Sequence, residues 1–157
     1  MDEEQKQAIL KKLQDLRQLR IFYLMDEREI FEVLKRCAIL HFAPGDKVFS
    51  EGDTDHSLYI IVDGNFEVAS TAASGEKLTF FFAGDGLIFG EMSFLDSQPR
   101  SAAITAAEKS EVLQLSRAQY EDLLQHNPVA AARFMFGVSE ILSRRLRGAN
   151  MRIKHST

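Results

Sequence analysis

Residues 86–103 read GLIFGEMSFLDSQPRSAA, and the reading of the whole chain turns on this stretch. Phe89 ends a strand, and Gly90 follows it, where the missing Cβ permits a tight backbone turn. Glu91-Met92-Ser93-Phe94-Leu95 suits a short helical turn, whose first N–H groups have no intrahelical partner and can face an anion. Asp96 to Pro99 makes a loop, and Arg100-Ser101 opens the next strand. The turn is expected to bring Glu91 and Arg100 back toward one another, although nine positions separate them in sequence. In isolation such a pair would be an ordinary surface contact, common and weak.

The flanking sequence supplies the context. From about residue 40 to 115 the chain falls into short runs rich in Val, Ile, Phe and Tyr, broken by glycine turns. Pro44-Gly45-Asp46 precedes KVFS, and Glu51-Gly52-Asp53 follows it. LYIIV (58–62) and FEVAS (66–70) flank Asp63-Gly64-Asn65, which reads as a hairpin turn. Ser74-Gly75 precedes KLTFFFA, and SAAITAA (101–107) and EVLQL (111–115) complete the set. Many short strands at regular spacing imply an antiparallel β-roll or jelly-roll barrel rather than a parallel sheet.

Helices are expected on both sides. In residues 1–37, Ile9, Leu10, Leu13, Leu16 and Leu19 form one apolar stripe. Asp26 with Glu29 reads as a capping box that opens a second helix, with Cys37 near its end. In residues 116–150, Ser116 with Gln119 reads as another capping box, and Asn127-Pro128 as the N-cap and first position of a last helix. Phe134, Val138, Ile141 and Leu142 mark the apolar face of that helix, and Gly137 implies a bend or a close contact. The expected fold class is α+β, mainly β, with residues 1–157 as a single domain.

Composition excludes several classes of function. Of 157 residues, 45% are hydrophobic and 27% charged, with 12 Phe and no Trp, as in an ordinary globular chain. No apolar run approaches the roughly 18 residues of a membrane span, and MDEEQKQAILKK has no secretory h-region, so cytoplasmic residence and no membrane partner are expected. The lone Cys37 cannot form an internal disulfide and reads as a buried structural thiol. The four His residues are scattered, without the clustering of a metal barrel, and no nucleophile–base arrangement appears; neither a metal, a cofactor nor catalysis is expected. The net charge of −4 gives no general attraction for nucleic acid. The basic run Arg144, Arg145, Arg147, Arg152 and Lys154 reads as a solvated helix end suited to the helix dipole.

The cassette at 89–103 matches the needs of a cyclic ribose phosphate. Phosphate oxygens call for a planar, permanently charged donor and a hydroxyl, which Arg100 and Ser101 supply. A free ribose 2′-OH calls for an acceptor, which Glu91 supplies.

FGEM, the loop ending in Pro99, and RSAA together resemble the phosphate-binding cassette of the cyclic-nucleotide-binding domain family, of the catabolite activator and kinase regulatory subunit type. The resemblance extends through PGDKVFSEGD, LYIIVDGNFEV and the NP-started last helix, roughly residues 20 to 147. It implies a cyclic mononucleotide ligand, cAMP or cGMP, and C-terminal helices that move against the roll. It assigns Glu91 to the ribose 2′-OH, Arg100 and Ser101 to the phosphate, and the backbone of Gly90, Glu91, Met92 and Ser93 to phosphate oxygens. Ala102, Phe80 and Phe82 would lie near the purine or the roll core, Phe89 is counted among the ligand-binding residues, and Asn150 would reach a purine edge from the far end of the last helix.

The sequence also departs from the family pattern. Leu87 stands where the family often has Asp, and the chain stops at Thr157, too early for the helix-turn-helix domain of the family's transcription factors. The expectation is a sensor without direct DNA binding, acting on an unknown effector, with a homodimer through the last helix. A nucleotide-independent scaffold with the same fold, or a regulatory fragment of a longer protein, are the alternatives. The residues do not choose between adenine and guanine, because Ser101 could bond the phosphate or a guanine amino group.

Overall fold

The computed structural model describes residues 3–84 and 86–155, with the side chains of residues 3, 5, 6, 9, 10, 81 and 82 outside the described set. The chain begins with α1 (Glu3–Arg17), a 3-10 turn (Arg20–Phe22) and α2 (Glu27–Leu34). Strands β1 (Ala38–Phe42), β2 (Lys47–Phe49), β3 (Leu58–Asp63), β4 (Asn65–Thr71), β5 (Lys77–Gly84) and β6 (Ile88–Phe89) follow. After them come α3 (Glu91–Asp96), β7 (Ala103–Ala106), β8 (Ser110–Leu115), α4 (Arg117–His126) and α5 (Pro128–His155).

The strands form two four-stranded antiparallel sheets, ordered β1-β8-β3-β6 and β2-β7-β4-β5. Their inner faces bury Tyr59, Ile61, Phe89 and Val112 of the first sheet against Phe49, Phe66, Val68 and Ile104 of the second. Alternate residues of β3 and β8, Leu58, Ile60, Leu113 and Leu115, point the other way and bury against the helices. LYIIV is therefore apolar on both faces, so its sequence lacks the alternation of a half-solvated strand. The result is the expected α+β fold: a β-roll with helices at both ends.

Asp26 accepts from Glu29 N–H at 2.9 Å, and Glu29 Oε1 accepts from Asp26 N–H at 3.0 Å, so that capping box is complete. At Ser116 only the serine half forms, with Oγ accepting from Gln119 N–H at 3.1 Å. Asn127 Oδ1 caps α5 through Ala130 N–H at 3.1 Å, with Pro128 at the first helical position. Leu13 and Leu16 of the α1 stripe are buried and Leu19 partly so, while the side chains of Ile9 and Leu10 lie outside the described residues.

Three expectations are corrected. Asp63-Gly64-Asn65 is not a hairpin: β3 pairs with β8 and β6, whereas β4 pairs with β5 and β7, so this turn carries the chain from one sheet to the other. A Cβ on Gly64 would fall onto Ser110, whose Oγ accepts from Asn65 N–H at 3.2 Å and donates to Glu108 O at 2.8 Å. Close approach of two sheets, rather than strand reversal, is what requires the glycine there. The true hairpin joins β4 to β5 through the turn at Gly75.

Cys37 also lies outside helix. α2 stops at Leu34, and the next residues turn into β1, whose pairing of Ala38 with Gln114 ends the helix earlier than its apolar period suggests. The thiol packs against the helical core, and burial pushes it up to about 12.

Finally, Phe134, Val138 and Ile141 of α5 are buried in the chain's own core with Phe22, Ile30 and Leu113, so this face is not free for a partner. Gly137 makes the close contact, since a Cβ there would strike the Ile21 carbonyl. No helix among the described residues is long and apolar enough to cross a membrane.

Candidate functional site

The loop between β6 and β7 closes one end of the roll over a cavity of about 180 Å³. Gly90 starts the closure with φ +78°, a left-handed conformation costly for other residues. A Cβ there would lie 2.7 Å from Arg100 Nη1 and 2.8 Å from Ser57 O, so space as well as conformation demands glycine. α3 then runs from Glu91 to Asp96 with no side-chain cap at its start. Ser97, also left-handed at φ 61°, turns the chain back toward Pro99 and Arg100.

Arg100 is buried, with 3% of its surface exposed, and its guanidinium lies 4.1 Å from the centroid of the Phe49 ring. Nε and Nη2 donate to Asp55 Oδ2 at 3.2 and 2.7 Å, Nη2 also donates to Ser57 O at 2.8 Å, and Nη1 donates to Gly90 O at 2.8 Å. A cation this deep needs such compensation, because burying an unpaired charge costs several kcal/mol, on the order of 3–5. Burial pushes the Asp55 carboxyl up, but the Ser57 N–H and the Arg100 guanidinium outweigh it and hold the group below the usual carboxylate range. Four of the five guanidinium N–H groups are thus engaged, and Arg100 is among the residues that line the cavity.

Glu91 faces a different partner from the one expected. Its Oε1 accepts from Arg145 Nη1 of α5 at 2.8 Å, and Arg145 also donates to Ile88 O. Glu91 and Arg100 line one cavity but do not pair with each other: each is held by a charge from a distant segment. The expected convergence of the two is therefore a shared cavity and not an ion pair.

Phe89, Gly90, Glu91, Met92, Ser93, Arg100, Ser101, Ala102 and Phe80 all line the cavity. Phe80 and Met92 are more than half exposed and stand at the mouth, and Ser101 Oγ reaches Met92 Sδ at 3.6 Å. Phe89, Ala102, Val68, Ile104 and Phe49 are buried and form an apolar floor. The Phe82 side chain lies outside the described residues. Asn150 is exposed and does not line the cavity; it stands five residues beyond Arg145, about 7.5 Å further along the helix.

The sequence reading missed Asp55, Phe49, Val68, Ile104 and Arg145. Arg145 had a signal: it lies four residues after Ile141, on the buried face of α5, although it belongs to a basic run that reads as solvated. Asp55 had none, because it reaches Arg100 from 45 residues away across a loop. Among the described residues no three His, Cys, Asp or Glu side chains gather closely enough to hold a metal ion.

Residues 39–127, which include this cassette, match the family model of the cyclic nucleotide-binding domain. The chain belongs to the cyclic nucleotide-binding domain family. The cyclic AMP receptor protein of Thermus thermophilus is 34% identical over 112 residues, 71% of this chain and 50% of that protein. Among solved structures, the catabolite activator protein of Thermus thermophilus superposes with a TM-score of 0.75 at 30% identity, covering 86% of this chain and 62% of that one. A cyclic nucleotide-binding domain from Methylobacillus flagellatus KT superposes at 0.85 with 24% identity, covering 94% and 85%, which shows the shared fold. The chain spans about half the length of the curated relatives it matches.

Proposed function

We propose that the chain is a sensor that binds a cyclic mononucleotide, cAMP or cGMP, in this cavity and signals its occupancy through α5. The observation that carries the reading is the buried Arg100, a guanidinium at the wall of a cavity whose floor is otherwise apolar. Its remaining N–H, the Ser101 hydroxyl and the backbone from Gly90 to Ser93 would take the phosphate, and Glu91 the ribose 2′-OH. Phe80 and Met92 at the mouth would cover the base. Family membership supports the ligand class.

The switching element in this reading is Arg145. A ribose that hydrogen-bonds Glu91 alters the contact that ties α5 to α3, so occupancy and helix position are linked.

A homodimer through α5 would use the outer face of that helix. Val129, Phe136, Leu146 and Ile153 are 56–63% exposed, and with Ala132, Ser139, Ser143 and Asn150 they recur at alternating spacings of three and four. That is the period of a two-helix seam, in which Asn150 would pair with its own copy.

Thermal melting against cAMP, cGMP and cyclic mononucleotides with other bases tests the reading. A ligand at 100 times its Kd raises stability by about 2.7 kcal/mol. No shift with any of them would leave a nucleotide-independent interaction module.

A further inference from the structure

A second cavity, of about 350 Å³, lies between the 3-10 turn, the segment before β6 and α5. Its lining residues are Arg20, Leu87, Ile141, Arg144, Arg145, Gly148 and Arg152, of which only Arg145 also lines the first cavity. Its size falls within the roughly 300–1,000 Å³ of ligand pockets.

We propose that this cleft is a second ligand site, for a small organic anion that joins an apolar body to a phosphate or carboxylate head. The proposal stands whether or not the first cavity takes a cyclic nucleotide.

Charge is the first argument. Four guanidinium groups wall the cleft in a protein whose net charge is −4. Arg20 and Arg144 share one carboxylate, Glu140, at 3.0 and 3.6 Å, and Arg145 holds Glu91 at 2.8 Å. Arg152 has no ion-pair partner among the described residues. Leaving Arg145 aside, Arg20, Arg144 and Arg152 face the single carboxylate of Glu140 among the described residues, and guanidinium forks suit phosphate and carboxylate oxygens bidentately. The floor of Leu87, Ile141 and Gly148 is apolar, and the methylene stems of the arginines extend it.

Gly148 is the second argument. Glycine is among the poorest helix formers, and Gly148 sits inside α5 with an ordinary helical backbone. Gly137, in the same helix, is explained by the Ile21 carbonyl packed against it, but a Cβ on Gly148 would meet nothing within 4 Å. The proposed dimer seam does not explain it either, because Gly148 lies roughly 200° around the helix from Leu146. What its missing side chain leaves open is the floor of the cleft, on the face shared by Ile141, Arg145 and Arg152.

Calorimetry on the full chain, with octyl phosphate below its micelle concentration, tests the proposal; octyl glucoside and inorganic phosphate serve as probes of the two halves. One octyl phosphate per chain is expected, at least tenfold tighter than either control. Gly148→Leu fills the floor with a better helix former and should weaken octyl phosphate at least tenfold with no loss in melting temperature. Arg152→Gln, at an exposed position, should weaken it severalfold without moving octyl glucoside. Octyl phosphate affinity unchanged in both variants, or equal to that of octyl glucoside in wild type, overturns the site. Saturable binding of a glutamate-rich peptide with none of octyl phosphate overturns it in favour of a protein partner.

Discussion

Arg145 in the second half of α5 donates to Glu91 at the first residue of α3, 2.8 Å away, and so ties the last helix to the wall of the cavity. Both side chains are largely withdrawn from water, at 23% and 12% exposure, which strengthens the contact relative to a surface pair. The last fully buried residue of α5 is Ile141, and Gly148 and Ala149 beyond the ion pair are half-buried.

Removing the carboxylate tests both roles of Glu91. Glu91→Ala should weaken nucleotide binding by about 1.5–3 kcal/mol, the scale of a hydrogen bond to a charged group. A 2′-deoxy ligand should show most of that loss in wild type and little further loss in the variant. Independent, additive losses in calorimetry would place the 2′-OH elsewhere.

Arg100→Ala should weaken the nucleotide by roughly 2–5 kcal/mol, as for truncation of one member of a buried charged pair. It should also lower stability, by about 1–3 kcal/mol, because the Ser57 and Gly90 carbonyls lose their donor. Urea unfolding separates the two effects. Unchanged affinity in a folded variant would remove Arg100 from the site.

Asp55 gives an acid-side signature. Its carboxyl titrates below the usual range in the folded chain, held there by Ser57 and Arg100 against the opposing effect of burial. Its contribution is therefore present above the unfolded value, about 3.9, and is lost as pH falls through the lower folded value. The stability difference between wild type and Asp55→Asn should be largest near neutral pH and shrink below about pH 4. A difference constant from pH 7 to pH 3 in urea melts would show that the charge is not responsible.

The two glycines of α5 should respond in opposite directions to alanine. Gly137→Ala gains about 1 kcal/mol of helix propensity but drives a methyl into the Ile21 backbone, and overpacking of this kind costs typically 1–3 kcal/mol or more. Gly148→Ala meets open space and should gain up to about 1 kcal/mol. Matching shifts in melting temperature for both would contradict the packing described.

Leu146→Glu places a charge in the centre of the proposed helix seam while leaving the chain's own core untouched, since Leu146 is 63% exposed. Sedimentation should show the wild type as a dimer and the variant as a monomer with unchanged helix content. A wild-type monomer at high micromolar concentration, with and without nucleotide, rules the seam out.

Much of this protein follows from its residues taken locally. The turns at Gly75 and Gly90, the cap at Asn127, the Asp26–Glu29 box and the strand segments depend on neighbours a few positions away, and their physics is written in short words of sequence. The same holds for the backbone of the cassette, in which a left-handed glycine is followed by a capless helical turn.

Other features were decided by chain segments meeting from afar. Gly64 reads as a hairpin glycine and is instead required by Ser110, 46 residues on, because whether two strands pair depends on which neighbours each finds. Arg145 reads as a solvated helix end and is instead the partner of Glu91, because long-range packing decides which part of a helix face meets the roll. For the cassette itself, sequence determined which groups line the cavity. Tertiary structure determined what holds them: Asp55 and Ser57 on Arg100, and Arg145 on Glu91. A buried charge is stable only with a partner in space, and nothing in the local sequence names that partner.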